Sequence, residues 1–134
     1  QSNTTGANNT AVGNSALYNN TTGGLNTAIG RNAGRLISNG SNNTIINNSI
    51  FIGADTRALN NSETNQIVIG HNAIGLGSNS VVLGNTSITR TQLRGQVIIG
   101  AFASAPTGIE GAIYYDSTTK RHYAFDGTDW NGLY

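Results

Sequence analysis

The chain has 134 residues, room for one ordinary domain or for a repeat array with a small cap. Hydrophobic residues are 37% and charged residues 10% of it, while Asn, Gly, Ser and Thr fill roughly half of the positions, far from average globular usage; a self-contained three-layer core is not expected. Seven Lys and Arg against six Asp and Glu leave a net charge of +1 with the basic residues scattered, so no polyanion footprint exists and nucleic acid is not an expected partner.

The apolar residues come in short runs, each closed by a glycine, which argues for order rather than a linker. In chain order the windows are Asn8-Asn9-Thr10-Ala11-Val12-Gly13, Leu25-Asn26-Thr27-Ala28-Ile29-Gly30 and Asn48-Ser49-Ile50-Phe51-Ile52-Gly53. They continue as Asn65-Gln66-Ile67-Val68-Ile69-Gly70, Asn79-Ser80-Val81-Val82-Leu83-Gly84 and Gly95-Gln96-Val97-Ile98-Ile99-Gly100. The closing glycines Gly13, Gly30, Gly53, Gly70, Gly84 and Gly100 lie 17, 23, 17, 14 and 16 residues apart, one short coil per repeat. Three positions after each glycine a small residue recurs, as Ala16, Ala33, Thr56, Ala73, Ser87 and Ala103, as a chain returning to one crowded place requires.

Apolar runs of three to five residues, rich in β-branched side chains and bounded by Asn, Ser and Gly, predict strands, and Asn-Asn, Thr-Thr-Gly-Gly and Asn-Gly-Ser predict the turns between them. The fold class expected is all-β: a solenoid or roll of stacked coils over residues 1–100. Side chains alternate along a strand, so the first and third positions before each glycine share one face, and we assign that face to the roll interior. The second position is apolar as well, and the row Phe51, Val68, Val82 and Ile98 then lies outward as a stripe that water should not meet. Strands apolar on both faces are buried on both, and the simplest cover for a repeated stripe is the same stripe on other copies. This row is therefore the expected interchain interface. The position four before each glycine, Asn9, Asn26, Ser49, Gln66, Ser80 and Gln96, is also expected to point outward; it is no rank of threonines, which counts against an ice-binding array.

Residues 101–110, with the only proline at Pro106, are expected to form a linker and hinge. Residues 111–134 then read as three strands, about 111–115, 121–126 and 129–134, the last two joined by the Asp126-Gly127 hairpin signal. Six aromatic residues gather here: Tyr114, Tyr115, Tyr123, Phe125, Trp130 and Tyr134. They read either as the packing core of this module or as a sugar-stacking surface, and Tyr115, Tyr123 and Trp130 are the candidate receptor-binding residues. On the roll, the turns around 18–24, 36–47 and 57–64 are the expected solvent-facing loops.

The window Asn79-Ser80-Val81-Val82-Leu83-Gly84, fourteen residues after Gly70, resembles the head repeat of trimeric autotransporter adhesins of the YadA type. Windows 48–53 and 65–70 fit it too, whereas windows 8–13 and 25–30 carry Thr where that family prefers an apolar residue. The resemblance implies a homotrimer of left-handed parallel β-rolls about a threefold axis. The segments Gly111-Ala112-Ile113-Tyr114-Tyr115-Asp116-Ser117-Thr118-Thr119-Lys120 and Trp130-Asn131-Gly132-Leu133-Tyr134 are similar to carboxy-terminal modules of phage tail fibres. Together these resemblances imply a virion tail fibre or cell-surface adhesin that attaches to a host through a glycan or protein receptor; a purely structural shaft is the alternative.

Enzyme chemistry is not expected. No Gly-x-Ser-x-Gly elbow and no evident carboxylate pair of glycosidase type occurs. His71 and His122 are too few in one chain for a transition-metal site, although a threefold axis would multiply a ligand, as it would an axial Asn binding an anion. Asp116, Asp126 and Asp129 stand in no calcium-loop pattern. Neither a metal nor a cofactor is expected. The absence of Cys removes disulfides and thiolates, and no apolar stretch approaches the roughly 20 residues that span a bilayer, so membrane insertion is not expected. The chain opens on Gln1 rather than Met, the mark expected of a fragment or processed product.

Overall fold

The structure, a computed structural model, describes residues 3–134 and is all-β, with no helix among the described residues. It divides into two compact units, residues 1–91 and 92–134. In the first, strands β1 (Thr10–Val12), β2 (Thr27–Ile29), β3 (Ile50–Ile52), β4 (Ile67–Ile69) and β5 (Val81–Leu83) form one parallel sheet in chain order. Their register runs Thr10, Thr27, Ile50, Ile67, Val81 without a slip. This is the expected β-solenoid, and each of its five strands occupies the three positions before a closing glycine.

Two columns of special backbone hold the coils in step. The closing glycines stack, with φ of 128° at Gly13, 130° at Gly30, 125° at Gly53 and 130° at Gly70, and a Cβ on any of the first three would meet the next glycine's backbone at 2.6 to 2.8 Å. Five positions earlier stand Asn8, Leu25, Asn48, Asn65 and Asn79, all left-handed with φ between 51° and 62°. Asn adopts that region far more readily than most residues, which accounts for part of the unusual Asn content. The small-residue column after the glycines is buried at Ala16, Ala33, Thr56 and Ala73, as the repeat predicted.

The two faces of the sheet are the reverse of the expectation. Ala28, Phe51 and Val68 are fully buried inside the roll, where Leu17, Ile46, Ala58 and Ala73 pack with them. Val82, in the last coil, is partly buried against the same core. Phe51, Val68 and Val82 are therefore roll interior rather than an outward stripe. The column four before each glycine turns inward with them: Asn26, Ser49 and Gln66 are buried. Asn26 and Ser49 are tolerated because they bond the backbone of the neighbouring coil, while Gln66 Nε2 donates to Glu63 Oε2 at 2.7 Å. Asn9 Oδ1 accepts from the Asn26 backbone N–H at 3.0 Å, Asn26 Oδ1 from Ser49 N–H at 2.9 Å, and Ser49 Oγ from Gln66 N–H at 3.1 Å. A buried polar group is acceptable when it is hydrogen-bonded, and here the side chains extend the backbone ladder beyond the strands.

The sixth window does not join this sheet. Residues 97–99 form no strand, Ile98 is 92% exposed, and the window belongs to the second unit. A Cβ on Gly100 would meet only the Phe102 ring, at 3.5 Å, so the stacked glycine column ends at Gly84.

The second unit is a four-stranded sheet in the order β6 (Ala101–Phe102), β7 (Ile113–Asp116), β8 (Arg121–Phe125) and β9 (Trp130–Gly132). β7, β8 and β9 are antiparallel neighbours, as the hairpin signals predicted, while β6 pairs with β7 in parallel. Part of the expected linker is thus a strand. Pro106 is no hinge between units either: it lies within the second unit, and its carbonyl accepts a bond from Trp130 Nε1 at 3.2 Å.

Candidate functional site

The outward face of the five-stranded sheet carries the first and third positions before each glycine. Val12, Ile29, Ile52, Ile69 and Leu83 form one row in register, and Thr10, Thr27, Ile50, Ile67 and Val81 the other. Val12 is 57%, Val81 60% and Leu83 56% exposed; Ile29 and Ile52 also lie open, and Ile50, Ile67 and Ile69 are half-buried. Apart from two threonines in the first two strands, this face is wholly apolar. The sequence therefore identified an uncovered stripe correctly and put it one residue out of phase.

A cavity of about 460 Å³ opens at the last coil, lined by Leu59, Ile74, Leu76, Val82 and Leu83 with Asn72 and Asn85 among its polar members. It lies where the roll interior is left without a further stacked strand beyond β5.

The 23-residue interval makes an excursion in which Leu36 and Asn42 form an antiparallel bridge. Its tip is exposed, but its base is tied down: Asn43 and Ile46 are buried, and Asn19 Nδ2 donates to Asn42 Oδ1 at 2.8 Å. The expected loop 18–24 is likewise only partly open, since Asn19, Asn20 and Gly23 are buried while Tyr18 and Thr22 are exposed. Beside the excursion, the Arg35 guanidinium lies 5.6 Å from the centroid of the Tyr18 ring and donates to Asn32 Oδ1 at 3.1 Å. Asp55 accepts from Asn32 Nδ2 at 2.8 Å and pairs with Arg31. The Arg31 side chain is mostly exposed, so this ion pair contributes at most about 1 kcal/mol.

In the second unit the parity of β7 and β8 splits the three candidate aromatics. Tyr114 faces Tyr123 across the strands, and Tyr115 faces His122. Tyr114 is buried; its ring stacks on Tyr123 at 5.4 Å and meets Trp130 edge-on at 4.6 Å, and Phe125 lies 5.2 Å from Trp130. Tyr123 and Trp130 therefore belong to the packing core of the unit. Tyr115 stands on the other face, 5.0 Å from His122, whose ring is 5.9 Å from that of Tyr134. His122 Nδ1 and Tyr134 Oη share a hydrogen bond of 2.6 Å. The grouping of Tyr115 with His122 and Tyr134 was missed from sequence, although the Asp116–Lys120 turn fixes the register that sets Tyr115 opposite His122.

Two carboxylates shape the turns of this sheet. Thr118 and Thr119 N–H bond Asp116 Oδ1 at 2.7 and 3.1 Å and hold its acid below the usual carboxylate range. Asp129 and Thr128 N–H, both at 2.8 Å, do the same for Asp126. Burial, with Asp116 nearby, raises the Tyr114 phenol. Carboxylates with depressed folded values stabilise above their unfolded pKa, about 3.9, and that contribution disappears as pH falls through the folded value. Fluorescence of Trp130, the only tryptophan, should accordingly report weakening of the second unit as the solution is acidified below about pH 4. Asp126→Asn, which keeps an acceptor oxygen in the turn, should flatten the dependence.

Among the described residues no group of three or more His, Asp or Glu side chains could hold a metal ion, and no helix is long and apolar enough to cross a membrane. His71 and His122 lie in separate units. No family model, curated protein or solved structure matches the chain.

Proposed function

We propose that the chain is a structural and host-attachment segment of a homotrimeric fibre or surface adhesin, and that the outward apolar face of its roll is where the three copies meet. The observation that carries this reading is the register of that face: an aliphatic residue recurs at one spot on five successive coils, from Val12 to Leu83, with no cover from its own unit. A monomer gains nothing from a stripe of that length in water, whereas identical copies bury it against itself. Threefold symmetry, virion or cell-surface location, and attachment to a glycan or protein receptor come from the resemblance of the repeats and of the last segment to adhesin heads and tail-fibre modules. The interface residues under this reading are Val12, Ile29, Ile52, Ile69, Val81 and Leu83. The candidate recognition surfaces are the excursion around residues 36–42 and the face bearing Tyr115.

Sedimentation velocity of the purified chain tests the assembly: a trimer is expected at micromolar concentration. Val81→Glu with Leu83→Glu should convert it to monomer or unfold it, because two charges per copy would be buried without partners. A stable wild-type monomer would sink the proposal. Binding of the intact trimer to candidate bacterial cells, compared with a trimer whose excursion is shortened, separates an adhesin from a shaft. Loss on shortening supports recognition there, and no binding by either leaves the shaft reading in its place.

A further inference from the structure

We propose that Asn39 is a site of spontaneous deamidation, at which the Gly40 amide closes a succinimide ring and water reopens it to aspartate or isoaspartate. Asn39 and Gly40 sit at the exposed tip of the excursion, where Gly40 N–H donates to Ile37 O at 2.9 Å. The same turn brings the Ser41 N–H to Asn39 Oδ1 at 2.9 Å.

This donor makes the site more than an Asn-Gly dipeptide. Ring closure develops negative charge on Oδ1, and a fixed N–H aimed at that oxygen stabilises the tetrahedral intermediate as an oxyanion-hole donor does. The hydrogen bond also draws the side-chain carbonyl back over its own chain, towards the Gly40 nitrogen that must attack it. Gly40 has φ of 86°, and nothing lies within 4 Å of the place a Cβ would occupy, so no side chain or neighbouring group crowds the residue that supplies the attacking nitrogen on that side. The bond from Gly40 N to Ile37 O has to open first, a local event at an exposed turn.

The chemistry balances without an added reagent. The Gly40 nitrogen bonds to Asn39 Cγ, and the Cγ–Nδ2 bond breaks. The side-chain nitrogen leaves as ammonia with the proton from Gly40. Water then adds to one of the two ring carbonyls, leaving aspartate, or isoaspartate with the backbone running through Cγ. Either product puts a negative charge on the excursion, whatever the function of the chain.

Two other asparagines have one half of the arrangement each. Asn85 Oδ1 accepts from Ser87 N–H at 2.8 Å, but the residue after it is the β-branched Thr86. Asn131 precedes Gly132, but it lies in β9 and its leaving nitrogen is held by Asp126 Oδ2 at 2.8 Å. The folded protein, incubated at mildly alkaline pH and analysed by peptide mass spectrometry and isoaspartate labelling, should convert at Asn39 well ahead of both. Ser41→Pro, which removes the donor, should slow it. Thr86→Gly, which completes the arrangement at Asn85, should make Asn85 a second site even if Ser41→Pro disturbs the turn. The denatured chain should lose the preference for Asn39 over Asn131. Asn131 or wild-type Asn85 converting as fast as Asn39 in the folded protein would overturn the proposal, as would a Thr86→Gly protein in which Asn85 stays an amide.

Discussion

Gly53→Ala is expected to destabilise the roll severely, by about 2–6 kcal/mol. A left-handed residue without glycine's freedom costs on the order of 1–3 kcal/mol, and at φ of 125° alanine has no comfortable well. The larger obstacle is space. The new Cβ would stand 2.8 Å from the carbonyl carbon and oxygen of Gly70, which are backbone and can move only if the whole next coil moves. Overpacking of that kind adds about 1–3 kcal/mol more, against a total stability of about 5–15 kcal/mol for a domain. Gly100→Ala is the control. It matches the same sequence pattern but meets only the Phe102 side chain, at 3.5 Å, and should change stability by no more than about 0.5 kcal/mol. Chemical denaturation followed by circular dichroism distinguishes the two, and equal losses would show that Gly100 belongs to the stacked column after all.

Phe51→Ala should be nearly as damaging, and for a reason confined to one chain. Phe51 is the largest fully buried side chain among the described residues, set between Ala28 and Val68 in register, with Gly34 close against its ring. Truncating such a residue costs about 3–5 kcal/mol, since both transfer free energy and the cavity count. The loss should appear as a lower denaturation midpoint that does not depend on protein concentration. Ile52→Ala, one residue away on the outward face, should instead make the midpoint more sensitive to dilution. If Phe51→Ala produced the concentration dependence and Ile52→Ala did not, the two faces would have to be exchanged.

That pair of neighbours also marks where sequence reading reached its limit. Two apolar rows one residue apart predict burial on both faces, and nothing in their hydrophobicity says which burial is inside the chain. The polar column of Asn26, Ser49 and Gln66 shares a face with Phe51 and Val68, and its polarity argued for the outside. What reverses this is a set of side chain to backbone bonds between coils separated by 17 to 23 residues, invisible until the coils are stacked. In the second unit the β7 and β8 strands were legible, and with them the aromatic core of Tyr114, Tyr123 and Trp130, once the parity set by the turn is followed. Treating Tyr115 and Tyr123 as one surface ignored that parity.

The sequence by itself determined the all-β class, the five glycine-closed strands, the column of small residues behind them, the antiparallel hairpins near the end and the existence of an uncovered apolar face. These follow from local rules: strand periodicity, the positive φ that glycine and asparagine tolerate, and the turn chemistry of Asp-Gly. Only the tertiary structure decided which face fills the roll, that the window at 95–100 forms no sixth strand, that Ala101–Phe102 pairs with β7, and that Tyr115 stands with His122 and Tyr134. Each of these depends on which distant groups satisfy a buried backbone or side-chain polar atom, and that accounting closes only when the coils and strands are in place.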